Sequence, residues 1–478
     1  MRFQRHMHIL RPVFGGMALL VLAGCATFSS DGGMDAVSAM TQERTGQTVQ
    51  LSRPDDYKRS AGETLRQLLA KPLTPDSAAQ IALLNNQGLQ AGFAELGIAE
   101  ADLVSAGWMR NPSFSFGRMR TGNDIEIERG IMFDVIGLLT IPIRSGIEQR
   151  RFEQARLQAA AQAVGLARDT RKAYFNAVAA QQTAQYMEQV VVAAEAAAEL
   201  ARRMAQVGNF SKLDQAREQA FYADATTQLA RARHNATAAR EQLSRLMGVW
   251  GEQTAFRLPD RLPDLPQAPE AIKDAEMQAM QQRLDIQMAK RGTESTARAL
   301  GLSKASRFIN VLDIGYVNKS ETGAPRGNGY EIELQLPIFD WSGAKVAKAE
   351  AIYMQSLHRT ADIAVRARSE VRESWSAYRT TYDVARHYRD EIVPLRKKIS
   401  DEVLLRYNGM LASVFELLAD ARAQIGSVNA AIEAQRDYWL AETDLQAAIN
   451  GGGRGAGGSG GLPASSAMQV SGDTAQEH

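Results

Sequence analysis

The stretch IEIERGIMFDVIGLLTIPI, residues 125–143, decides the fold class of this 478-residue chain. Apolar and polar side chains alternate along it. Odd positions carry the apolar residues Ile125, Ile127, Ile131, Phe133, Val135, Leu139 and Ile141. Even positions carry the polar residues Glu126, Glu128, Asp134 and Thr140. Such period-two alternation predicts a strand with one apolar and one charged face. YEIELQLPIF, residues 330–339, repeats the pattern and predicts a second such strand.

Each of these strands has a predicted partner, so the chain should form two β-hairpins. The partners are NPSFSFGRMR, residues 111–120, and FINVLDIGYVNK, residues 308–319, with turns rich in Gly, Asn and Pro. Four strands cannot close a membrane barrel, which needs about eight. A membrane role therefore requires an oligomer. The alternative is a four-stranded sheet packed on helices in a soluble protein.

The helical segments are unusually long. Residues 146–207 contain no proline and are rich in strong helix formers, which predicts a helix of about 90 Å. Gly208 ends this helix, Ser211 is a candidate N-cap, and a return helix runs to about Met247. We expect a helix over residues 75–107 to stack end to end with the return helix. Helices alone would also suit a soluble coiled-coil rod.

The two halves of the chain repeat these features in the same order. LLTIPIRSG at 138–146 matches LQLPIFDWSG at 334–343, and MAQVGNFSKLDQAR at 204–217 matches LLRYNGMLASVFELLADAR at 404–422. This alignment places Gly208 opposite Gly409. Duplication explains the order better than chance does. The second half should therefore contain helices over residues 270–302, 343–408 and 410–450.

The predicted organisation has six parts. They are a signal peptide (1–24), a lipidated N-terminal tether (25–73), a first repeat (74–256), a Pro-rich linker (257–271), a second repeat (272–450) and a Gly-rich tail (451–478). The prolines of the linker forbid a continuous helix. The tail is too polar and too rich in glycine to pack a core, which predicts disorder.

The only cysteine of the chain lies behind a short apolar run near the N-terminus. Basic residues precede VFGGMALLVLAG, which is typical of a secretory signal. The sequence Leu22-Ala23-Gly24-Cys25 resembles the bacterial lipobox, and this resemblance implies a covalent lipid such as palmitate on Cys25. Ala26 after the cysteine implies the outer membrane. The alternative is an ordinary signal peptide that contains a chance cysteine.

Composition and motifs argue against several classes of protein. Lys+Arg total 55 and Asp+Glu total 54, so the net charge of +1 offers no general attraction to nucleic acid. The sequence contains no H-E-x-x-H zinc pattern and no glycine-rich phosphate loop with its lysine. His234, His358 and His387 are isolated along the chain. We expect no enzyme activity, no cofactor other than the lipid and no bound metal.

The whole set of features resembles the outer-membrane efflux family typified by TolC. The resemblance covers residues 74–450 and rests on the duplicated plan, the Asn111-Pro112 step and the strand ends Ile141-Pro142-Ile143 and Leu336-Pro337-Ile338. It implies a mainly α-helical chain with four β-strands, in a homotrimer with a 12-stranded transmembrane β-barrel and long helical hairpins forming a periplasmic tunnel. It further implies a passive exit duct that works with a periplasmic adaptor and an inner-membrane pump.

The same resemblance implies particular site residues. The turns Val207-Gly208-Asn209 and Asn408-Gly409-Met410 should contact the adaptor at the periplasmic tips, where glycine can adopt positive φ. Glu416 aligns with the first acidic residue of the family's tunnel constriction, so a threefold ring of Glu416 would form a gate. Ala419 occupies the second acidic position, and Asp420 follows one residue later. Whether Asp420 replaces that acid stays open.

Two other functions fit part of the sequence. A periplasmic adaptor lipoprotein also combines a lipobox with a helical hairpin, and a structural lipoprotein could span the periplasm without transport. The duplicated hairpin and the two pairs of acidic-apolar strands favour the duct. The sequence leaves the cargo open among drugs, metal ions, solvents and polypeptides.

Overall fold

The computed structural model describes residues 27–51, 62–269, 274–305, 312–334 and 342–451. These residues form long helices and one four-stranded antiparallel sheet. The helices are α1 (Met34–Thr45), α2 (Gly62–Leu69), α3 (Pro75–Asn85), α4 (Gln87–Ala106), α5 (Val135–Gln206), α6 (Lys212–Met247), α7 (Ala275–Gln282), α8 (Leu284–Ala305), α9 (Gly343–His387), α10 (Val393–Asn408) and α11 (Val414–Asn450). Among the described residues, we find no helix with the length and apolar character of a membrane span.

The sheet confirms the prediction of four strands in two hairpins. Its strands are β1 (Ser113–Thr121), β2 (Asp124–Asp134), β3 (Leu312–Glu321) and β4 (Gly327–Leu334), in the spatial order β1-β2-β3-β4. The second strand of one repeat pairs with the first strand of the other, for example Glu128 with Lys319. The two repeats therefore share one continuous sheet.

The predicted strand over residues 125–143 is wrong beyond Asp134. The chain enters α5 at Val135, and Pro142 lies inside this helix. The Asp134 carboxylate accepts a hydrogen bond from the Gly137 amide at 2.5 Å and caps the helix. The Thr140 hydroxyl also donates to the Ile136 carbonyl at 2.8 Å. These local bonds start a helix where period-two alternation predicted a strand. The matching Leu336-Pro337-Ile338 lies outside the described residues.

The long hairpin of the first repeat agrees with the prediction. Helix α5 contains 72 residues, which corresponds to about 108 Å, and α6 returns along it. The C-terminal end of α3 meets the C-terminal end of α6, as expected for end-to-end stacking. The Asn85 side-chain amide donates to the Gly248 carbonyl at 2.6 Å, and that of Asn86 donates to the Leu246 carbonyl at 3.0 Å. Gly248 adopts φ +67°, and a Cβ there would lie 2.7 Å from the Asn85 carbonyl oxygen.

The second repeat follows the same plan with one irregularity. Its long arm runs through α9, a π-helical turn (Tyr388–Ile392) and α10, and α11 returns. The single helices predicted over residues 75–107 and 270–302 are wrong: the first breaks into α3 and α4 at Asn86, and the second breaks into α7 and α8 at Arg283. Gly451 ends α11 against this break, where a Cβ would lie 2.3 Å from the Leu284 nitrogen. The remainder of the predicted tail lies outside the described residues.

The segment predicted as an N-terminal tether packs on the helices over its described residues. Met34 and Val37 of α1 are buried in the same apolar cluster as Phe152 of α5. The Arg171 guanidinium donates to the Thr45 carbonyl at 3.2 Å. The Arg44 guanidinium donates to the carbonyl at position 282 of the second repeat, at 3.1 Å. This segment therefore contacts both repeats.

The Pro-rich linker also packs against the helices. Its prolines remove backbone donors, but its carbonyls accept bonds from the second repeat. The Gln435 amide and the Trp439 indole donate to the Pro263 carbonyl at 2.7 and 3.1 Å, and the Tyr382 hydroxyl donates to the Gln267 carbonyl at 2.7 Å. The Gln181 amide of the first repeat also donates to the Pro259 carbonyl at 3.3 Å, so the linker contacts both repeats.

Candidate functional site

The sheet has two chemically different faces, because paired residues in an antiparallel sheet project to the same side. One face carries the acidic residues Glu126, Glu128, Asp134, Asp313, Glu321, Glu331 and Glu333. Lys319 lies among them and forms an ion pair with Glu126. The strands thus place a strongly acidic surface on one side, as the alternation predicts.

The opposite face is apolar near the helices and mixed, with both polar and apolar side chains, near the hairpin turns. One row of paired residues crosses all four strands and consists of Phe114, Ile131, Tyr316 and Tyr330. The next row toward the helices consists of Phe133, Ile314 and Ile332. The next row toward the turns is mixed. Phe116 pairs with Arg129, which donates to the Asn318 amide oxygen at 3.2 Å, and Asn318 donates to that of Asn328 at 2.7 Å. The apolar side chains form a band that is exposed in the single chain.

Three carboxylates lie at the edge of the acidic face, where the sheet joins the helices. Asp134 pairs with Asp313, which in turn pairs with Glu333, so the three lie side by side on adjacent strands. Arg110 partly balances them, with its Nη1 3.4 Å from Asp134 Oδ2. Among the residues that the structure describes, no group of three or more His, Cys, Asp or Glu is arranged to hold a metal ion.

The first hairpin tip is built around Gly208, as predicted. Gly208 adopts φ +80°, and the Asn209 amide donates to the Met204 carbonyl at 3.0 Å to close the end of α5. The Ser211 side chain accepts from the Asp214 amide at 3.0 Å and caps α6. Val207 is strongly exposed beside the turn.

At the second tip, the expected positive φ at Gly409 is wrong. Gly409 has φ −81°, whereas Met410 has φ +59°. The Leu411 amide donates to the Arg406 carbonyl at 2.8 Å, which is the same bond that Asn209 makes in the first tip. Asn408 is the last residue of α10. Met410, and not Gly409, is therefore the structural counterpart of Gly208.

Glu416 lies at the start of α11, where it completes a helix cap. Its carboxylate Oε2 accepts from the Ser413 amide at 3.0 Å, and the Ser413 hydroxyl accepts from the Glu416 amide at 3.2 Å. The side chains of Glu416 and Ala419 are both exposed. Asp420 is buried, with 8% of its surface exposed, and its Oδ2 has no hydrogen-bond partner among the described residues.

The corrected register reveals two acidic residues that the sequence comparison missed. Ser211 and Ser413 are the two N-caps, so Asp214 corresponds to Glu416, and Glu218 corresponds to Asp420. Glu218 is 5% exposed, and its Oε2 has no hydrogen-bond partner within the described part of the chain. Burial raises the pKa of Glu218, although the nearby Arg422 opposes this shift. Aligning the N-cap serines, rather than the glycines, would have found the pair.

The two return helices touch each other near the tips through reciprocal contacts. The Arg217 guanidinium of α6 lies 5.2 Å from the ring centre of Phe415 in α11, and that of Arg422 in α11 lies 5.2 Å from the ring centre of Phe221 in α6. Such cation–π pairs are attractive even when partly exposed. The tips of the two repeats are thus linked within one chain.

Two groups of residues singled out in the sequence take no part in these surfaces. Cys25 lies outside the described residues. His234 is exposed on α6, and His358 and His387 are exposed about eight turns apart on α9. His387 pairs with Glu391 one turn later at 3.2 Å.

Comparison with known proteins identifies the fold. No family model matches the sequence, and none of the curated proteins does either. Solved structures do match. The outer membrane channel CmeC of Campylobacter jejuni superposes with a TM-score of 0.70 at 16% identity, over 85% of this chain and 89% of that chain. The outer membrane protein VceC of Vibrio cholerae gives 0.68 at 14% identity, over 79% and 96%.

The outer membrane channel MtrE of Neisseria gonorrhoeae, in its open state, gives a TM-score of 0.66 at 17% identity, over 78% of this chain and 88% of that chain. Each match spans most of both chains. At these identities the likeness establishes the fold, and the chain therefore has the TolC-like fold of outer-membrane efflux channels.

Proposed function

We propose that the protein is the outer-membrane exit duct of a tripartite efflux or secretion system. It is a passive conduit, and an inner-membrane pump drives transport through a periplasmic adaptor. The observation that carries this proposal is the two-faced sheet that continues into a 72-residue helix. A soluble sheet packed on helices would cover its apolar face, whereas here the row from Phe114 to Tyr330 is exposed.

The duct is a homotrimer. One chain supplies four strands with free outer edges at β1 and β4 within the described sheet. Three chains supply twelve strands, which is enough to close a barrel and remove those edges. The acidic face would then line a water-filled lumen, and the band of aromatic and aliphatic side chains would face lipid. This arrangement satisfies both faces at once.

The tips are the docking end of the duct. Val207 and Leu411 are exposed beside the turns, and Met410 is 94% exposed. Exposed apolar residues at a loop are costly unless a partner covers them, and the proposed partner is the adaptor. The contact residues are those of the two turns, Val207 to Asn209 and Asn408 to Met410.

Glu416 is the proposed gate residue. Its carboxylate is exposed beside the second tip of each chain, so three copies in a trimer would form a ring that attracts cations and repels anions. Mutual repulsion among the three carboxylates would favour an open tip. Asp420 does not supply the second acid of the ring as long as it stays buried.

The protein is anchored in the outer membrane in two ways. The barrel inserts into the bilayer, and the lipid on Cys25 adds a second attachment. A single acyl chain binds membranes only marginally, so the lipid adds to the attachment by the barrel and does not replace it. The duct needs no catalytic group, because the pump supplies the energy.

Conductance in planar bilayers tests this function. The purified, detergent-solubilised oligomer should form channels that prefer cations, and Glu331→Gln with Glu333→Gln should weaken that preference. Asn328→Ala, on the opposite face of the same strand, is the matched control and should leave the preference unchanged. A folded trimer that binds a partner without conducting would support the adaptor alternative, and one that does neither would support the structural alternative.

A further inference from the structure

Charge is sorted between the two faces of the sheet. Within the four described strands, every carboxylate lies on the face that carries Glu128 and Glu331. The arginines of the strands, Arg118, Arg120 and Arg129, all lie on the opposite face, which also carries the apolar band. All three are exposed. The face proposed to meet lipid is therefore basic toward the hairpin turns.

The arginines occupy successive rows on the side of the band that is remote from the helices. Arg129 lies in the row next to the band, opposite Phe116. Arg118 lies in the following row, and Arg120 in the row closest to the turn of the first hairpin. Rows on one face are two residues apart, or about 7 Å along a strand. The basic surface thus begins where the band ends and continues to the turn.

The exposed apolar surface on the helix side of these rows has the height of an apolar membrane band. It continues into the first turns of α5, where Leu138, Leu139 and Ile143 are exposed. The strand from Ile131 to Asp134 and the helix from there to Ile143 together extend for at most about 25 Å. An outer-membrane barrel has an apolar band of about 25 Å. The arginine rows therefore fall at the edge of the bilayer, where a long side chain carries its charge to the headgroups.

The protein itself supplies no anion for these arginines in the part of the chain that the structure describes. Arg120 Nε donates to the Gly122 carbonyl at 3.1 Å, and Arg129 donates to Asn318 at 3.2 Å. Neither of them, nor Arg118, forms an ion pair with a described residue. A guanidinium has more N–H donors than these bonds use. A second copy beside β1 would present the same face, whose described strands hold no carboxylate, so the balancing anion must come from the surroundings.

We propose that Arg118, Arg120 and Arg129 bind the phosphate groups of anionic lipids in the outer leaflet of the membrane. A guanidinium pairs with phosphate through two parallel hydrogen bonds and is weakly hydrated, which suits a site at the bilayer edge. Phe116 and the band beside it can contact the acyl chains of the same lipid. The inference rests on the proposed barrel and goes beyond it, because it names the class of lipid that the barrel selects.

Lipid binding to the full-length trimer in dodecyl maltoside, measured by titration in native mass spectrometry, tests the inference. The probes are lipid A with two phosphates, lipid A with one phosphate, and phosphatidylcholine. The parent trimer should bind them with affinity falling in that order, and added salt should weaken lipid A binding. In Arg118→Gln with Arg120→Gln, the affinity for lipid A should fall about 25-fold, since each arginine near anionic lipid contributes about fivefold. Lysine at both positions should restore part of the loss, because it keeps the charge without the paired bonds.

Arg231→Gln, which changes an exposed arginine on α6, is the matched control and should leave the affinity for lipid A unchanged. Inorganic phosphate at the concentration of the lipid separates a lipid surface from a site for the free anion, and it should not displace lipid A. If the double variant does not assemble, Arg120→Gln alone, in the row closest to the turn, should still lose about fivefold in affinity.

Conductance of the same preparations distinguishes this inference from the proposed function. All variants should conduct with unchanged cation preference, because the arginines lie on the face opposite the carboxylates. Equal affinity for lipid A and phosphatidylcholine, unchanged affinity in the arginine variants, or displacement of lipid A by inorganic phosphate would overturn the lipid surface alone. A parent trimer that binds lipid A selectively but does not conduct would support the lipid surface and count against the duct.

Discussion

Ser413 and Glu416 exchange hydrogen bonds at the start of α11, and this pair combines a structural with a proposed functional role. The Ser413 amide donates to Glu416 Oε2 at 3.0 Å, while the Glu416 amide donates to Ser413 Oγ at 3.2 Å. Such a capping box satisfies two amides that the helix leaves free. The carboxylate proposed for the gate is therefore held in one orientation by its own helix.

Two substitutions separate these roles of Glu416. Glu416→Gln keeps an acceptor for the Ser413 amide but removes the charge, so cation preference should fall while the melting temperature stays nearly constant. Glu416→Ala removes both and should also lower the free energy of unfolding by about 1 kcal/mol. Single-channel recordings and thermal unfolding measure the two effects. Currents of Glu416→Gln that equal those of the parent protein in every salt would exclude Glu416 from the gate.

Met410→Gly should stabilise the second tip. Met410 adopts φ +59°, a left-handed conformation that is unfavourable for any residue with a Cβ. Glycine removes this strain, so the free energy of unfolding should rise by up to about 1 kcal/mol. The converse substitution Gly208→Ala, at φ +80°, should lower it by a similar amount. Denaturant unfolding measures both, and a destabilised Met410→Gly would contradict the tip geometry.

The buried Glu218 should make stability depend on pH. Burial raises its pKa above the ordinary value of 4.5 in the folded state, so the folded chain binds this proton more tightly than the unfolded chain does. Its contribution to stability is full below pH 4.5 and is lost as pH rises through the raised pKa. Glu218→Gln should remove this part of the slope. Asp224→Asn, on an exposed face of the same helix, should retain it. Equal slopes in Glu218→Gln and the parent protein would refute the assignment.

Arg283→Ala should destabilise the second repeat strongly. Arg283 is 2% exposed, forms two bonds to the Asp285 carboxylate at 3.0 and 2.6 Å, and donates to the Ala448 carbonyl at 3.1 Å. Its Nη2 also lies 2.8 Å from Glu370 Oε2. Removal of Arg283 leaves Asp285 and Glu370 without this cation, which should cost about 3 kcal/mol or more. Arg291→Ala, half exposed on the next helix, should cost less than about 1 kcal/mol. Chemical denaturation compares the two variants, and equal losses would mean that Arg283 is not a buried structural cation.

Local patterns in the sequence were sufficient for most elements of the fold. Alternation over residues 125–134 and 330–334 predicted the strands and their two faces, and the long proline-free segments predicted the hairpins. The strand predicted from alternation ended at Asp134, because the Asp134 side chain accepts from the Gly137 amide and caps a helix there. The tip alignment failed by one residue, because a glycine was assumed to be the residue with positive φ, and Met410 takes that conformation instead.

The sequence by itself determined the faces of the strands and the order of strands, long helices and turns, because each depends on the spacing of neighbouring residues. Only the tertiary structure decided that β2 pairs with β3, that Ser29 is held by Glu100 and that Arg283, Glu218 and Asp420 are buried. These contacts join residues far apart in the chain. Burial and charge pairing at such sites depend on which helices meet there, and no local spacing records that.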